Sequence, residues 1–202
     1  MPNPYLTTST ALLDGLNDPE NREVWEQFDK RYRPIITGFA VRLGVDPEDA
    51  ADVAQDTLTS FLTDYRAGKY DRTRGRLHSW IIGIARHRAY DLFRNRKRHA
   101  HERGVSAIDD TPEDSALEQM FEEECREAIL RDALEALRTK TKLGEDTVNA
   151  FTRHVIDRFP PETVANELGI TVDAVYMAKH RCLTKLRTLV AELEQAYELD
   201  AP

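Results

Sequence analysis

The chain has 202 residues, which is enough for one mid-sized domain or two small ones. Hydrophobic residues make up 41% of it and charged residues 32%, so its cores must be small and much of each helix must stay in contact with water. No apolar stretch approaches the roughly 18 residues of a membrane-spanning helix, and the amino terminus lacks the basic and apolar segments of a secretion signal. Cys125 and Cys182 show no CxxC spacing, so we expect reduced thiols in a cytoplasmic protein.

The net charge of −8 conceals a strong segregation of charge along the chain. Residues 14–65 hold 12 acids and 5 bases, residues 66–103 hold 12 bases and 3 acids, and residues 104–127 hold 9 acids and 1 base. A basic block inside an acidic chain suits a polyanionic partner, because each neutralised phosphate releases condensed counterions. A solvated basic helix is the alternative interpretation.

Apolar residues recur at helical spacing along most of the chain, and the short alternating runs typical of strands are absent. A first helix is predicted to begin near Asn21, and Pro34 predicts a bend or a break within it. Asp46 is a suitable N-cap for a second helix over residues 47–66, since Pro47 follows it and suits the first turn. The pattern predicts an all-α fold.

Two small helical domains joined by an acidic linker are predicted from the remaining pattern. A polar loop over residues 68–75 leads to a long helix over residues 77–98, which is apolar on one side and basic on the other. Residues 104–120 are acidic and lack an apolar period for most of their length, so we place the linker there. The helices predicted beyond it cover about residues 117–139, 144–158, 161–168 and 171–197.

The last two of these helices have the sequence form of a helix-turn-helix. Gly169 supplies the left-handed residue that a tight turn needs, Thr171 can cap the second helix, and Ala165 is small where the helices cross. The second helix of such a pair enters the major groove, reads bases with its first turns and holds phosphates with its cations. A helical hairpin without DNA-binding function is the alternative interpretation.

Three segments, in this order, resemble bacterial RNA polymerase sigma factors of the two-domain extracytoplasmic-function type. Residues 49–58, DAADVAQDTL, resemble the family's helix that docks on the polymerase clamp. Residues 75–92, GRLHSWIIGIARHRAYDL, resemble the segment that melts and reads the −10 element. Residues 169–187 resemble the reader of the −35 element. Position 51 departs from the pattern, since Ala51 stands where the family commonly has Glu.

The resemblance implies a sigma factor that binds core RNA polymerase, recognises −35 and −10 promoter elements and helps to open DNA. Residues 21–103 would bind polymerase and the −10 element, residues 104–120 would be the linker, and residues 121–202 would bind the −35 element. Residues 1–20 would be an amino-terminal extension. The implied partners are core polymerase, promoter DNA and an anti-sigma factor or other inhibitor, and no cofactor, metal or catalytic residue is implied.

The resemblance also implies a role for individual residues. Three carboxylates on the second helix follow each other at i, i+3 and i+7, so they form one stripe on its surface. Such a stripe suits a basic partner surface, and a solvated face without a partner is the alternative interpretation. The implied polymerase-binding residues are Asp49, Asp52, Gln55 and Asp56. The implied −10 contacts are Tyr70, Arg72, Arg74, Arg76, His78, Trp80, Arg86, His87, Arg94, Asn95, Arg96 and Lys97. The implied −35 contacts are Thr171, Asp173, Ala174, Tyr176, Met177, Lys179, His180, Arg181 and Lys185. The helical spacing of Trp80 equally suits a place in the core.

Two other classes of protein compete with this interpretation. A nuclease could hold a divalent metal on the carboxylate stripe, but the chain has no Walker loop or nucleophile motif. His99, His101 and Cys125 lack the spacing of a closed zinc site. A helix-turn-helix regulator that binds duplex DNA alone would explain residues 161–187 but would leave residues 46–98 without a function.

Overall fold

A computed structural model describes residues 9–18, 20–71, 73, 76–101 and 113–197 of the chain, with the backbone alone for residues 9 and 97–101. The fold is all-α, as predicted, and the described residues contain no strand. The helices are α1 (Ser9–Leu16), α2 (Arg22–Arg42), α3 (Pro47–Arg66), α4 (Leu77–His101), α5 (Asp114–Thr139), α6 (Glu145–Phe151), α7 (Pro161–Leu168) and α8 (Val172–Tyr197), with a π-helical turn over Thr152–Ile156. No described helix is both long enough and apolar enough to cross a bilayer.

Residues 9–128 form one compact unit and residues from 129 onward form another. In the first unit α2, α3 and α4 pack around large aromatic side chains, and Phe28, Phe39 and Phe61 are fully buried. The alanines Ala40, Ala50 and Ala89 are buried in a second cluster. Because an alanine side chain is small, the three helices can approach closely there.

Helix α2 continues through Pro34, so of the two predicted alternatives, a bend or a break, the break is wrong. Asn21 caps the helix, and its side-chain oxygen accepts a hydrogen bond from the backbone N–H of Val24 at 3.3 Å. Fully buried residues lie close to the proline on both sides, namely Tyr32 before it and Ile35 and Ile36 after it. Burial of both halves in one core offsets the single hydrogen bond that proline removes from the helix.

Helix α3 begins where the sequence predicts, but Asp46 does not cap it as expected. Asp46 has the extended backbone of a cap residue, yet its side chain makes no capping hydrogen bond. Its carboxylate instead lies 2.5 Å from Nη1 of Arg96 on α4. An ion pair with a cation fifty residues away in sequence therefore replaces the local cap.

Helix α5 begins at Asp114, so the end of the predicted linker is helical. Leu117 and Phe121 are buried, and the Phe121 ring packs against the rings of Phe39 and His78, with centroids 5.6 and 5.5 Å apart. These contacts join the first half of α5 to the first unit, and the division between the units falls after Ala128, inside the helix. Residues 104–112 of the predicted linker lie outside the described residues.

The second unit contains α7 and α8 joined by a short turn, with the bounds that the sequence predicts to within a residue. Gly169 has φ +66°, the left-handed conformation expected of it. The hydroxyl of Thr171 accepts a hydrogen bond from the backbone N–H of Ala174 at 3.1 Å, which is the predicted cap. Buried residues hold the two helices together with α6 and are Ala150, Val164, Ala165, Val175 and Ala178.

Candidate nucleic-acid and protein interfaces

The predicted acidic stripe lies on one side of α3, along a groove of about 610 Å³ between α3 and α4. The side chains that line it include Asp49, Asp52 and Asp56 from α3 and Arg88, Asp91, Arg94 and Asn95 from α4. Asp52 and Asp56 are exposed. Asp49 is less exposed, and its carboxylate is bound by Nη2 of Arg96. The groove therefore brings residues predicted to bind polymerase together with residues predicted to bind DNA.

Gln55 is exposed but does not line this groove. Its side-chain oxygen accepts a hydrogen bond from Nη2 of Arg33 at 2.7 Å, and its amide nitrogen donates to Thr59 at 3.2 Å. Arg33 also binds Asp29, and the hydrogen bond to that carboxylate raises the pKa of the Arg33 guanidinium. The structure therefore separates Gln55 from the three carboxylates and places it in a polar network with α2.

Tyr70 and Trp80 form an aromatic ledge at the start of α4. Their rings are stacked, with centroids 5.0 Å apart and planes 15° from parallel. The inner side of Trp80 packs on the buried ring of Phe61 at 5.1 Å, while Tyr70 and Trp80 themselves are half-buried. Trp80 thus has one side on the core, as its helical spacing suggests, and its ring stacks on Tyr70; its contact with DNA stays a prediction.

The loop between Tyr70 and α4 contains a hydrogen-bonded turn at Asp71. Its carboxylate accepts hydrogen bonds from the backbone N–H and the hydroxyl of Thr73, at 2.9 and 2.6 Å. The bond from the hydroxyl is the main cause of a lowered pKa of Asp71. Arg76, immediately before α4, is exposed. Arg72 and Arg74, which are predicted DNA contacts, lie outside the described residues.

Most of the predicted −10 cations on α4 already bind carboxylates within the first unit. Arg86 binds Asp114 of α5. His87 and Arg94 both bind Asp91, and the hydrogen bond from Arg94 is the main cause of a lowered pKa of the Asp91 carboxyl. The guanidinium of Arg94 remains 69% exposed and the imidazole of His87 67%. These two side chains can therefore reach a phosphate without leaving their helix face.

Three of the remaining predicted −10 residues have different surroundings. His78 is half-buried between the rings of Tyr32 and Phe121, with centroid distances of 6.0 and 5.5 Å, so it belongs to the core rather than to an exposed surface. Asn95 is exposed at the groove. The side chain of Lys97 lies outside the described residues, although its backbone is part of α4.

One face of helix α8 is exposed to solvent and carries both polar and apolar side chains, and the opposite face is buried. Tyr176 and Met177 are 50% and 51% exposed, while Val175 and Ala178 beside them are buried. The other exposed predicted −35 residues are Thr171, Asp173, His180 and Arg181, and the half-buried ones are Ala174, Lys179 and Lys185. The exposed residues follow each other at steps of three and four, so most of the predicted reading residues share one face of the helix.

A π-helical turn beside α8 is a feature that the sequence did not predict. Residues 144–158 were expected to form one helix, but α6 ends at Phe151 and the chain continues as a π turn over Thr152–Ile156. The backbone N–H of Asp157 donates to the carbonyl of Thr152 at 2.9 Å. Periodicity cannot predict this change, because one wider turn shifts the apolar pattern by only a single residue.

Both thiols of the chain are buried. Burial raises the pKa of both Cys125 and Cys182. No group of three His, Cys, Asp or Glu side chains among the described residues is placed to hold a metal ion. The side chains of His99 and His101 lie outside the described residues.

Comparison with known proteins identifies the family. The model of sigma-70 region 2 matches residues 28–99, which span most of α2, all of α3 and nearly all of α4. The ECF RNA polymerase sigma factor RpoE of Cereibacter sphaeroides is 26% identical over 171 residues, or 83% of this chain and 92% of the relative. The sigma factor CarQ of Myxococcus xanthus is 25% identical and covers 86% of this chain and 92% of its own length.

A third relative has a higher identity over a shorter alignment. The RNA polymerase sigma-H factor of Pseudomonas aeruginosa is 30% identical over 149 residues, which cover 72% of this chain and 75% of the relative. The matched segment of region 2 includes both the acidic stripe and the aromatic ledge. The chain therefore belongs to the RNA polymerase sigma factors of the extracytoplasmic-function (ECF) type.

Proposed function

We propose that this sigma factor uses α3 to bind core RNA polymerase, the Tyr70–Trp80 ledge to hold opened promoter DNA, and α8 to read duplex DNA upstream. Promoter recognition and the initiation of transcription with RNA polymerase are the functions of its family. The single observation that carries the proposal is that one compact unit holds both the exposed carboxylates of α3 and the half-buried ledge of Tyr70 and Trp80.

The proposed polymerase surface consists mainly of Asp52 and Asp56. Both carboxylates are exposed, and no ion pair within the described part of the chain involves either of them. Asp49 contributes less because Arg96 already binds it. Gln55 lies at the edge of this surface, held by Arg33. A stripe of free carboxylates favours a basic partner surface and steers its approach.

The proposed single-strand surface is the aromatic ledge together with the exposed cation Arg76. An unpaired base can stack on an exposed aromatic ring whatever its sequence, and nearby cations hold the phosphates. Trp80 gives the ledge rigidity because Phe61 supports it from the core side. Arg86, His87, Arg94, Asn95 and Arg96 stay in the proposal as contacts to the backbone of DNA, since an exposed ion pair is weak and can exchange a carboxylate for a phosphate.

The proposed duplex surface is the exposed face of α8. Tyr176 and Met177 supply apolar contact of the kind that recognises thymine methyl groups, while Lys179 and Arg181 supply phosphate contacts. The hydroxyl of Thr171 accepts the capping hydrogen bond from Ala174, so Thr171 contributes to the duplex surface mainly by fixing the start of α8. This is the face that the family resemblance assigns to the −35 element.

An anti-sigma factor or another inhibitor is also a proposed partner. Such a protein would have to cover either the carboxylates of α3 or the exposed face of α8, because these are the surfaces that the proposal assigns to polymerase and DNA. We further propose that the chain acts in the cytoplasm, where these two partners meet.

The proposal is tested by size-exclusion co-elution of the chain with purified bacterial core polymerase. Wild-type protein is expected to co-elute, and Asp52→Arg/Asp56→Arg is expected to elute alone. Glu20→Arg/Glu26→Arg is the matched control, since it makes the same charge change at two exposed acids of the same unit. Equal co-elution of both variants would contradict the assignment of the surface to α3.

A further inference from the structure

We propose that His154 is a positioning residue for promoter reading, because it holds the ring of Tyr176 in one orientation on the exposed face of α8. The inference rests on the proposed function of α8 as the reader of duplex DNA. It adds a residue from outside α7 and α8, on the π-helical turn that precedes α7.

The segment that carries His154 is held firmly by its own backbone. Besides the π-type bond from Asp157 to Thr152, the N–H of Phe159 donates to the carbonyl of Arg153 at 3.0 Å. Arg158 has φ +63°, a left-handed conformation that a residue other than glycine adopts only when its surroundings hold it. π-helical turns are frequent at functional sites, and this one interrupts a helix next to the proposed reading surface.

The imidazole of His154 is fixed on one side and contacts Tyr176 with its ring. Nδ1 lies 3.0 Å from the carbonyl oxygen of Phe159, so Nδ1–H donates to that carbonyl. The ring of Tyr176 is perpendicular to the imidazole, with a centroid distance of 5.9 Å and an angle of 89°. This edge-to-face arrangement is a favoured geometry of aromatic pairs.

Arg153 braces the same turn from the other direction. Its guanidinium binds Glu167 of α7 at 2.7 Å and lies 4.2 Å from the centre of the Phe159 ring. The carbonyl that fixes His154 belongs to this same Phe159. Side-chain contacts therefore connect the π-helical turn to α7 through Arg153 and to the start of α8 through His154, which contacts Tyr176.

Tyr176 needs such support because half of its surface is exposed. An exposed aromatic side chain on a helix otherwise samples several rotamers, and fixing one of them at the moment of binding lowers affinity. A contact that fixes the ring before DNA binds therefore increases the discrimination between bases at the position that Tyr176 contacts. From the usual strength of an edge-to-face pair, its loss should weaken discrimination at the base that Tyr176 reads by about two- to tenfold.

Two substitutions separate positioning from a merely structural role. His154→Phe keeps a ring against Tyr176 and loses the hydrogen bond to the Phe159 carbonyl. His154→Asn keeps a donor near the place of Nδ1 and loses the ring. If the hydrogen bond alone matters, His154→Asn should resemble the wild type; if His154 positions Tyr176, His154→Phe should resemble it. Thermal melting of each variant shows whether the second unit stays folded.

The experiment uses holoenzyme reconstituted from the full chain and bacterial core polymerase, with a pool of random-sequence linear duplexes as the probe. Selection and sequencing give the base preference at each upstream position. We expect Tyr176→Ala to flatten the preference at one or two adjacent positions and His154→Asn to flatten the same positions. We expect His154→Phe to retain that preference. Lys179→Ala is the control and should weaken binding to all selected sequences alike.

The outcomes distinguish this inference from the function on which it rests. A wild-type holoenzyme that selects no upstream sequence would overturn the proposed role of α8, and the inference with it. A clear wild-type preference that His154→Asn or Tyr176→Ala leaves unchanged would overturn the inference alone. Loss of the preference in His154→Phe, with His154→Asn unaffected, would assign His154 to the stability of the turn.

Discussion

The guanidinium of Arg96, in the second half of α4, binds the carboxylate of Asp49 at the start of α3. The same guanidinium binds Asp46, and that hydrogen bond is the main cause of a raised pKa of Arg96. The family resemblance implied a polymerase contact for Asp49 and a DNA contact for Arg96. In the folded chain Arg96 shares its charge between Asp46 and Asp49, so Asp52 and Asp56 are the carboxylates of the stripe that no ion pair among the described residues involves.

Removing Arg96 should therefore not weaken the proposed polymerase surface. We expect Arg96→Ala to bind core polymerase at least as tightly as the wild type, because Asp49 then becomes an additional free carboxylate. The dissociation constant is measured by fluorescence titration of labelled protein with core polymerase at several salt concentrations. A steeper salt dependence than that of the wild type would support this result. A tenfold loss of affinity would contradict it and would place Arg96 itself at the interface.

Substitution of Trp80 and of Tyr70 by alanine should have different effects on the stability of the protein but the same effect on DNA opening. Trp80→Ala removes a ring that packs on Phe61 and should lower the free energy of unfolding by about 1–3 kcal/mol. Tyr70→Ala removes only the outer ring of the ledge and should cost less. Both variants should reduce the permanganate reactivity of thymines in the opened promoter, and Trp80→Phe should restore part of it. Normal opening by a folded Tyr70→Ala variant would exclude the ledge as a single-strand surface.

Gly38, the one glycine of α2, should resist replacement for a steric reason. A Cβ added at Gly38 would overlap the carboxylate of Glu124 on α5, and this carboxylate binds Nε of Arg42 at 2.5 Å. The Glu124 carboxylate must then swing away and give up this ion pair, so Gly38→Ala should lower the free energy of unfolding by about 1 kcal/mol. Gly83 of α4 is the matched control, because a Cβ there meets no atom within 4 Å.

Gly83→Ala should instead stabilise the protein by about 0.5–1 kcal/mol, as expected for glycine replaced by alanine inside a helix. Urea denaturation of the two variants gives the comparison directly. Equal effects of the two substitutions would show that α5 does not lie against α2 at Gly38.

The buried thiol of Cys125 should make stability fall at alkaline pH. Burial raises the pKa of Cys125 above that of a free thiol, so above about pH 8.5 the unfolded chain loses this proton while the native chain keeps it. The stability that the protonated Cys125 thiol contributes is fully present below the pKa that this thiol has in the unfolded chain. It is lost as the pH rises above that pKa. Relative to Cys125→Ala, the wild type should lose about 1.4 kcal/mol per pH unit in this range. A pH-independent difference between the two proteins would contradict the burial of this thiol.

The helices could be predicted from the sequence, but several of the contacts between them could not. The bounds of α3 and α8 follow from apolar spacing and from local signals such as Pro47 and Thr171. The predicted start of α5, at about residue 117, is three residues later than the observed start at Asp114, because no apolar period marks the acidic segment before Leu117. The continuity of α2 at Pro34 is a second case, since tertiary packing outweighs a local helix breaker there.

The candidate sites show the same division between local and tertiary effects. The sequence predicted the exposed face of α8, since solvent exposure follows helical period. It did not predict that His78 packs between Tyr32 and Phe121, because nothing near it in sequence identifies those partners. The ion pairs of Arg86 and Arg96 were equally hidden, since their carboxylate partners lie 28 or more residues away.

Polymerase-dependent transcription tests most directly whether the chain starts transcription at promoters as a subunit of the polymerase. A promoter chosen by the reconstituted holoenzyme from random duplexes is placed on a linear template for run-off transcription. Core polymerase with the wild-type chain should produce one transcript from a fixed start, and core polymerase with Asp52→Arg/Asp56→Arg should produce none. Specific binding of the same duplex by the chain alone, as tight as that of the holoenzyme and without any transcript, would instead identify a free-standing DNA-binding regulator.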